Sequence, residues 1–262
     1  VTQADIDHAA ALLVECRQSA SEIPDLPDGL RPSTFDEAYA IQDALHRRGG
    51  WDIGVLKVGA TGPAAREALG VDGPIAGRLA LSAIVASGAT VSVAASPSLL
   101  HPPRLESEFA LRLGDDAPGV DVDDLESVRG AVDAVAPALE LVDSRFRGPV
   151  DPRSMVADNS GSAAIVLGAA VPAATVGDLS TIAVTLSSGD EQLGGGSGAD
   201  VMGDPVASLQ WVLQHERDRG RAPVPGTWII TGTCTGMIPY PMGQRVVARF
   251  EGLGEVSVTV TA

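Results

Sequence analysis

Aromatic side chains are scarce in this chain: Phe, Tyr and Trp together make up 3% of the 262 residues, although hydrophobic residues as a whole reach 45%. A full core is available, but it has to be built from Ala, Val, Leu and Ile with little stacking surface. Cysteine is equally rare. Cys16 and Cys234 lie far apart, which excludes a disulfide framework or a zinc spacing and fits a reducing compartment. Basic residues are outnumbered, 18 against 34 acids, for a formal charge of −16. Nucleic acid and anionic membrane surfaces would be repelled, so neither is expected as a partner. No run reaches the ~18 apolar residues of a membrane helix, and the N-terminus lacks the basic-then-apolar layout of a signal peptide. A soluble, cytoplasmic protein is expected.

The texture of the chain changes near residue 55. Before it, Ile6, Ala9, Ala10, Leu13 and Val14 recur at helical spacing, a connector carries Pro24, Pro27 and Pro32, and Thr34-x-x-Glu37 reads as a capping box for a second helix closed by Gly49-Gly50. After it, short β-branched runs alternate with Gly/Pro turns, interrupted by one strong helix with Asp204 as N-cap and Pro205 at its first position. Many strands without βαβ alternation predict an α+β fold with a mixed or antiparallel sheet. Residues 1–54 are expected as an N-terminal helical region and 55–262 as one mixed β catalytic core. The glycine-rich run at 194–198 has no following Lys-Ser/Thr, so it reads as a turn or flexible loop rather than a phosphate cradle.

What the chain does have is a pattern of acids. Glu106 and Glu108 stand two apart in RLESEFALRL, and a strand over 105–112 puts both on one face. Glu140 follows downstream in PALELVDSR. Anions gathered in an apolar segment repel and are costly to desolvate unless a cation sits between them. Oxygen ligands without His or Cys suit Mg²⁺ or Mn²⁺. The alternative at this point is a strand edge carrying two solvated acids.

Several ordered stretches now combine: VLKVGATG (55–62), GVDGPIAGRL (70–79), HPPRLESEF (101–109), PALELVDSRF (137–146), VADNSGSAAIVLG (156–168) and VMGDPVASLQWV (201–212). Together they resemble the family of 2-keto-4-pentenoate hydratase and 4-oxalocrotonate (2-oxohex-3-enedioate) decarboxylase, within the fumarylacetoacetate-hydrolase superfamily. That resemblance implies a fumarylacetoacetase C-terminal-like fold, a twisted mixed β-sheet rolled into a barrel-like core behind an N-terminal helical region. It implies a homo-oligomer, sometimes complexed with a pathway enzyme of aromatic catabolism. It also implies that Glu106, Glu108 and Glu140 bind one Mg²⁺ or Mn²⁺ and that Lys57 is the catalytic lysine.

The activity so implied is a lyase working on a small-molecule 2-oxo acid through a dienolate, either decarboxylating a 2-oxo-enedioate or hydrating 2-hydroxypenta-2,4-dienoate. VLKVG, Pro74-Ile75-Ala76-Gly77 and Leu100-His101-Pro102 lean toward the decarboxylases. An extra residue before Glu106, Ala76 in place of an aromatic, and Gly161 between Ser160 and Ser162 depart from the pattern around the expected pocket.

Lys57 either neutralises the substrate carboxylate, stabilises the enolate oxygen, or shuttles a proton if burial depresses its pKa. Asn159, Ser160, Ser162 and Thr235 are candidates for binding substrate, against a reading as hydrogen-bonded turns. Asp143 and Arg145 either form a structural ion pair or hydrogen-bond the ligand glutamates. His101 reads as a rigid loop residue. Hydrolysis of an acylpyruvate would need a His–Glu pair, and a non-catalytic metal-binding scaffold is the reading from a different class.

Overall fold

Fourteen strands and six α-helices make up the protein, seen here in a computed structural model that describes residues 1–96 and 98–262. Two helices come first. In α1 (Gln3–Ser19), Thr2 and Asp5 form a reciprocal capping box and the expected apolar stripe is buried. In α2 (Phe35–Gly49), Thr34 accepts from the Glu37 N–H. The Glu37 carboxylate does not return the bond to Thr34; it accepts from the Ser33 N–H at 2.6 Å and from the N-terminal ammonium.

The chain then alternates strands with short helices: β1 (Ile53–Gly59), α3 (Pro63–Leu69), β2 (Ile75–Ala80), β3 (Ile84–Ala86), β4 (Thr90–Ser92) and β5 (Arg104–Leu113). Next come α4 (Leu125–Gly130), β6 (Val132–Val142), α5 (Pro152–Ala157), β7 (Ser162–Leu167), β8 (Val171–Pro172), β9 (Ala183–Ser188) and β10 (Glu191–Ser197). Helix α6 (Pro205–Asp218) precedes β11 (Trp228–Thr233), β12 (Ile238–Pro239), β13 (Arg245–Phe250) and β14 (Gly254–Thr261). Helix α6 starts as expected, with Asp204 accepting from the Val206 N–H, and it docks through a Ser208 hydroxyl to the Thr231 carbonyl at 2.7 Å.

The larger sheet runs β2-β1-β11-β5-β6-β7-β3, with β12 and β8 added to β5 and β6. It is mixed and curled, a half-barrel whose outer face meets the helices and a second, five-stranded sheet ordered β10-β9-β13-β14-β4. Phe109 of β5 meets Phe250 of β13 edge-on at 5.0 Å, one of few aromatic contacts in a core of aliphatic side chains.

Alternation along β5 separates two environments. Leu105, Phe109, Leu111 and Leu113 point outward into the large core. Glu106, Glu108 and Ala110 take the other face, where Ala110 packs with Val55, Leu79, Ala136, Ala138, Ile165 and Ile230 in a small apolar plug inside the curl.

The glycine-rich run is a strand, not a flexible loop: β10 pairs with β9 from Glu191 to Ser197. The reason is proximity. A Cβ at Gly196 would collide with the Cys234 carbonyl, and one at Gly194 would lie 3.1 Å from the Thr235 carbonyl oxygen.

Candidate active site

Register brings the acids together. Across β5 and β6, Glu106 lies directly opposite Glu140, and Glu108 lies two residues further along the same face. One oxygen from each of the three falls within 4.8 Å of the others. Glu108 and Glu140 are fully buried and Glu106 is partly exposed, so the cluster opens to one side only. The Gly232 N–H donates to Glu108 Oε2 at 2.5 Å. The other Glu108 oxygen and both Glu140 oxygens are buried without any hydrogen-bond partner among the described residues.

Lys57 enters from β1, which pairs with β2 and β11. It is 3% exposed, and its Nζ lies 3.4 Å from Glu140 Oε1. Gly77 on β2 makes room for it: a Cβ there would sit 2.8 Å from the Asn159 carbonyl oxygen and 3.1 Å from Lys57 Cγ. Lys57 is also the only lysine in the chain. That composition signal singles it out without any structure.

The electrostatics do not close with these residues alone. Burial and then the charge of Glu140 push Glu106 up to about 7, and burial with Glu140 and Glu106 pushes Glu108 well above the usual carboxylate range. Burial would lower the Lys57 ammonium, but Glu140, Glu106 and Glu108 outweigh it and hold it above its ordinary value. The three carboxylates thus favour the charged form of Lys57. With all three carboxylates ionised, the state in which they ligate a cation, one ammonium leaves two negative charges uncompensated, and the carboxylate oxygens converge within 4.8 Å. A divalent, oxygen-seeking cation fits both the charge and the donor set.

The remaining candidates divide into committed and free groups. Ser160 donates to the Ala76 carbonyl at 2.6 Å. Asn159 Oδ1 accepts from the Arg78 N–H at 2.7 Å and from His46 Nε2 at 3.1 Å. Since that oxygen only accepts, the His46 proton sits on Nε2; burial, then Arg78 and Arg17, push this imidazole down to about 3. Asn159 and Ser160 both hold left-handed backbone (φ 61° and 54°), so the turn is strained beside Lys57. The Ser162 and Thr235 hydroxyls, in contrast, are buried without a partner among the described residues.

Neither Asp143 nor Arg145 hydrogen-bonds the glutamates among the described residues. Asp143 accepts from the Leu100, His101 and Ser144 N–H groups and from His101 Nδ1, which anchors the segment entering β5. Arg145 is wholly buried, 3.9 Å from Asp143, with its main-chain N–H donating to Asp158 Oδ2. His101 is more than a loop residue, since its Nε2 also meets Glu22 at 2.6 Å. Sequence reasoning missed the Gly232 N–H, His46 and Arg78, each brought in by long-range packing. A cavity of about 440 Å³ lies in the seam between β2 and β7, lined by Asn159, Ser162, Arg17, His46 and Arg78; the three glutamates are not among its walls.

The fold and the acidic site define a class. The model of the fumarylacetoacetate (FAA) hydrolase C-terminal family matches residues 71–261, and the chain belongs to that family. Among particular relatives, it is 34% identical over 230 residues to a 4-oxalocrotonate decarboxylase of Pseudomonas putida, spanning 86% of this chain and 84% of that one. It is 32% identical over 256 residues to a 2-keto-4-pentenoate hydratase of Burkholderia vietnamiensis, spanning 96% of each. The solved 4-oxalocrotonate decarboxylase from Pseudomonas putida G7, complexed with magnesium and adipate, superposes with a TM-score of 0.89 at 30% identity, covering 99% of this chain and 98% of that one.

Proposed function

We propose that this protein is a Mg²⁺- or Mn²⁺-dependent lyase of the cytoplasm that decarboxylates a 2-oxo-enedioate such as 4-oxalocrotonate. The observation that carries the reading is the convergence of Glu106, Glu108 and Glu140, one oxygen of each within 4.8 Å of the others, beside Lys57. The relatives named decarboxylases and the magnesium in a solved neighbour support it. A cation held by the three glutamates supplies Lewis-acid charge at the oxygen end of a bound 2-oxo acid.

The chain's own residues do the rest. Loss of the C6 carboxylate as CO₂ breaks the C5–C6 bond, and its electron pair moves through the conjugated chain to the C2 oxygen. The Lys57 ammonium faces that charge in a site walled from water by the Ala/Ile/Val plug. The Ser162 and Thr235 hydroxyls are free to donate to substrate oxygens. Hydration of 2-hydroxypenta-2,4-dienoate is the second reading, favoured by the hydratase relatives and by the dienolate common to both reactions.

The His101–Glu22 pair is the feature an acylpyruvate hydrolase would use. Asp143 already holds the other ring nitrogen, which leaves none to activate water. The proposal includes a homo-oligomer, with light scattering at the mass of a single chain as the result against it. Each substrate supplied with Mg²⁺ gives the test of activity: CO₂ release from 2-oxohex-3-enedioate supports decarboxylation, and 4-hydroxy-2-oxo acid formation without any CO₂ hands the function to the hydratase reading.

A further inference from the structure

The row of side chains that holds Glu106 and Glu108 does not begin with them. Arg104, the first residue of β5, lies two positions before Glu106 and so projects from the same face. It is exposed, whereas Glu106 is partly buried and Glu108 fully so; the row descends from solvent to the metal ligands. Arg104 marks the mouth. Among the described residues its polar partner is the Met237 carbonyl oxygen, 3.0 Å from Nη2, and no carboxylate lies within ion-pairing distance. One nitrogen is thus anchored on the neighbouring strand segment while the rest of the guanidinium fork is free.

Charge and length point to an occupant. Lys57 lies against Glu140, Arg17 is paired with Asp158, and Arg78 with Asp43 and Glu216, so each of these cations already faces a carboxylate, whereas Arg104 faces none among the described residues. Two residues along a strand advance about 7 Å. A six-carbon chain, with five bonds of about 1.5 Å in zigzag, spans about 6 Å between its terminal carboxyl carbons. A six-carbon 2-oxo-enedioate is therefore long enough to reach from the glutamates to the Arg104 row.

We infer that Arg104 is the specificity-determining residue that receives the far carboxylate of a six-carbon dicarboxylic 2-oxo acid at the mouth of the site. The inference rests on the 2-oxo acid reading above. Arg104 pairs with a group that departs as neutral CO₂, so the contact is strongest before bond cleavage and weakest after it. Its contribution belongs to capture of the dicarboxylate, so losing it raises KM and does not lower kcat.

The test uses two unreactive ligands of equal length, 2-oxohexanedioate and 2-oxohexanoate, titrated calorimetrically into the Mg²⁺-loaded protein. Oxalate, which reaches only the chelating end, reports whether the site is intact. The wild type is expected to prefer the dicarboxylate by about tenfold, the scale of a charge-assisted hydrogen bond at a rim position. Arg104→Ala abolishes that preference and Arg104→Lys restores part of it, with oxalate affinity unchanged in both. Equal affinity for the two ligands in the wild type overturns the role of Arg104 while leaving 2-oxo acid binding in place. Loss of oxalate binding in Arg104→Ala shows a structural role instead and overturns it too. If neither ligand binds the wild type, the 2-oxo acid reading falls and takes this inference with it.

Discussion

The inside of the curled sheet has two halves built on the same strands, two residues apart, with opposite chemistry. On one side Glu106, Glu108, Glu140 and Lys57 crowd together; adjoining them, with Ala138 across from Glu108 and Ile165 across from Glu140, an apolar cluster runs on through Ala110, Ala136, Val55, Leu79 and Ile230. The apolar half is complete as it stands. The ionic half is not, because Glu108 Oε1 and Glu140 Oε2 are buried with no hydrogen bond or ion pair among the described residues. Fold stability and function therefore draw on separate halves of one surface, and substitutions should divide the same way.

The largest effect is expected at the ligands. Loss of groups that merely support a metal ligand costs about 10–100-fold in affinity, so Glu108→Gln should weaken Mg²⁺ binding by more than about a hundredfold and abolish turnover. In chelator the same variant should melt higher than the wild type, since a buried, repelled carboxylate has gone. A lower melting temperature in chelator would break the contrast between the halves. Lys57→Ala comes next, with turnover down by about a hundredfold or more and Mg²⁺ still bound, as steady-state rates and calorimetry would show. A non-catalytic scaffold would have no turnover to lose.

Leu79→Ala probes the other half. It should cost about 2–5 kcal/mol of stability through the cavity it leaves, read as a lower thermal midpoint, with Mg²⁺ affinity unchanged. The smallest effect is expected at His101. Burial lowers its pKa, but Asp143 and Glu22 together raise it above 6.5 in the folded protein. A raised pKa gives stability that is whole below the unfolded value and fades as pH climbs through the folded one. The loss of thermal midpoint in His101→Gln should accordingly be greater near about pH 6 than near about pH 9.

Local pattern carried much of this in the sequence. Alternation placed Glu106 and Glu108 on one face, and helical spacing with Thr34, Asp204 and Pro205 located three helices. Pairing did not show. That Glu140 faces Glu106 depends on the register of β6, a long-range match that no local spacing encodes. The glycine run at 194–196 looked loose because glycine signals turns, whereas here it lets β10 lie against the Cys234–Thr235 backbone. Asn159 and Ser160 were visible as polar residues in a turn, but their partners, Arg78, His46 and Ala76, come from elements about 80 to 115 residues away.

The balance of charge in the ionic half is most directly tested by titrating Mg²⁺ into the metal-free protein and following both heat and thermal midpoint. One ion per chain should bind, and at about a hundred times its dissociation constant it should add about 2.7 kcal/mol of stability, an effect absent in Glu108→Gln. A wild-type protein that takes up no divalent ion, or melts at the same temperature with and without it, would contradict the account.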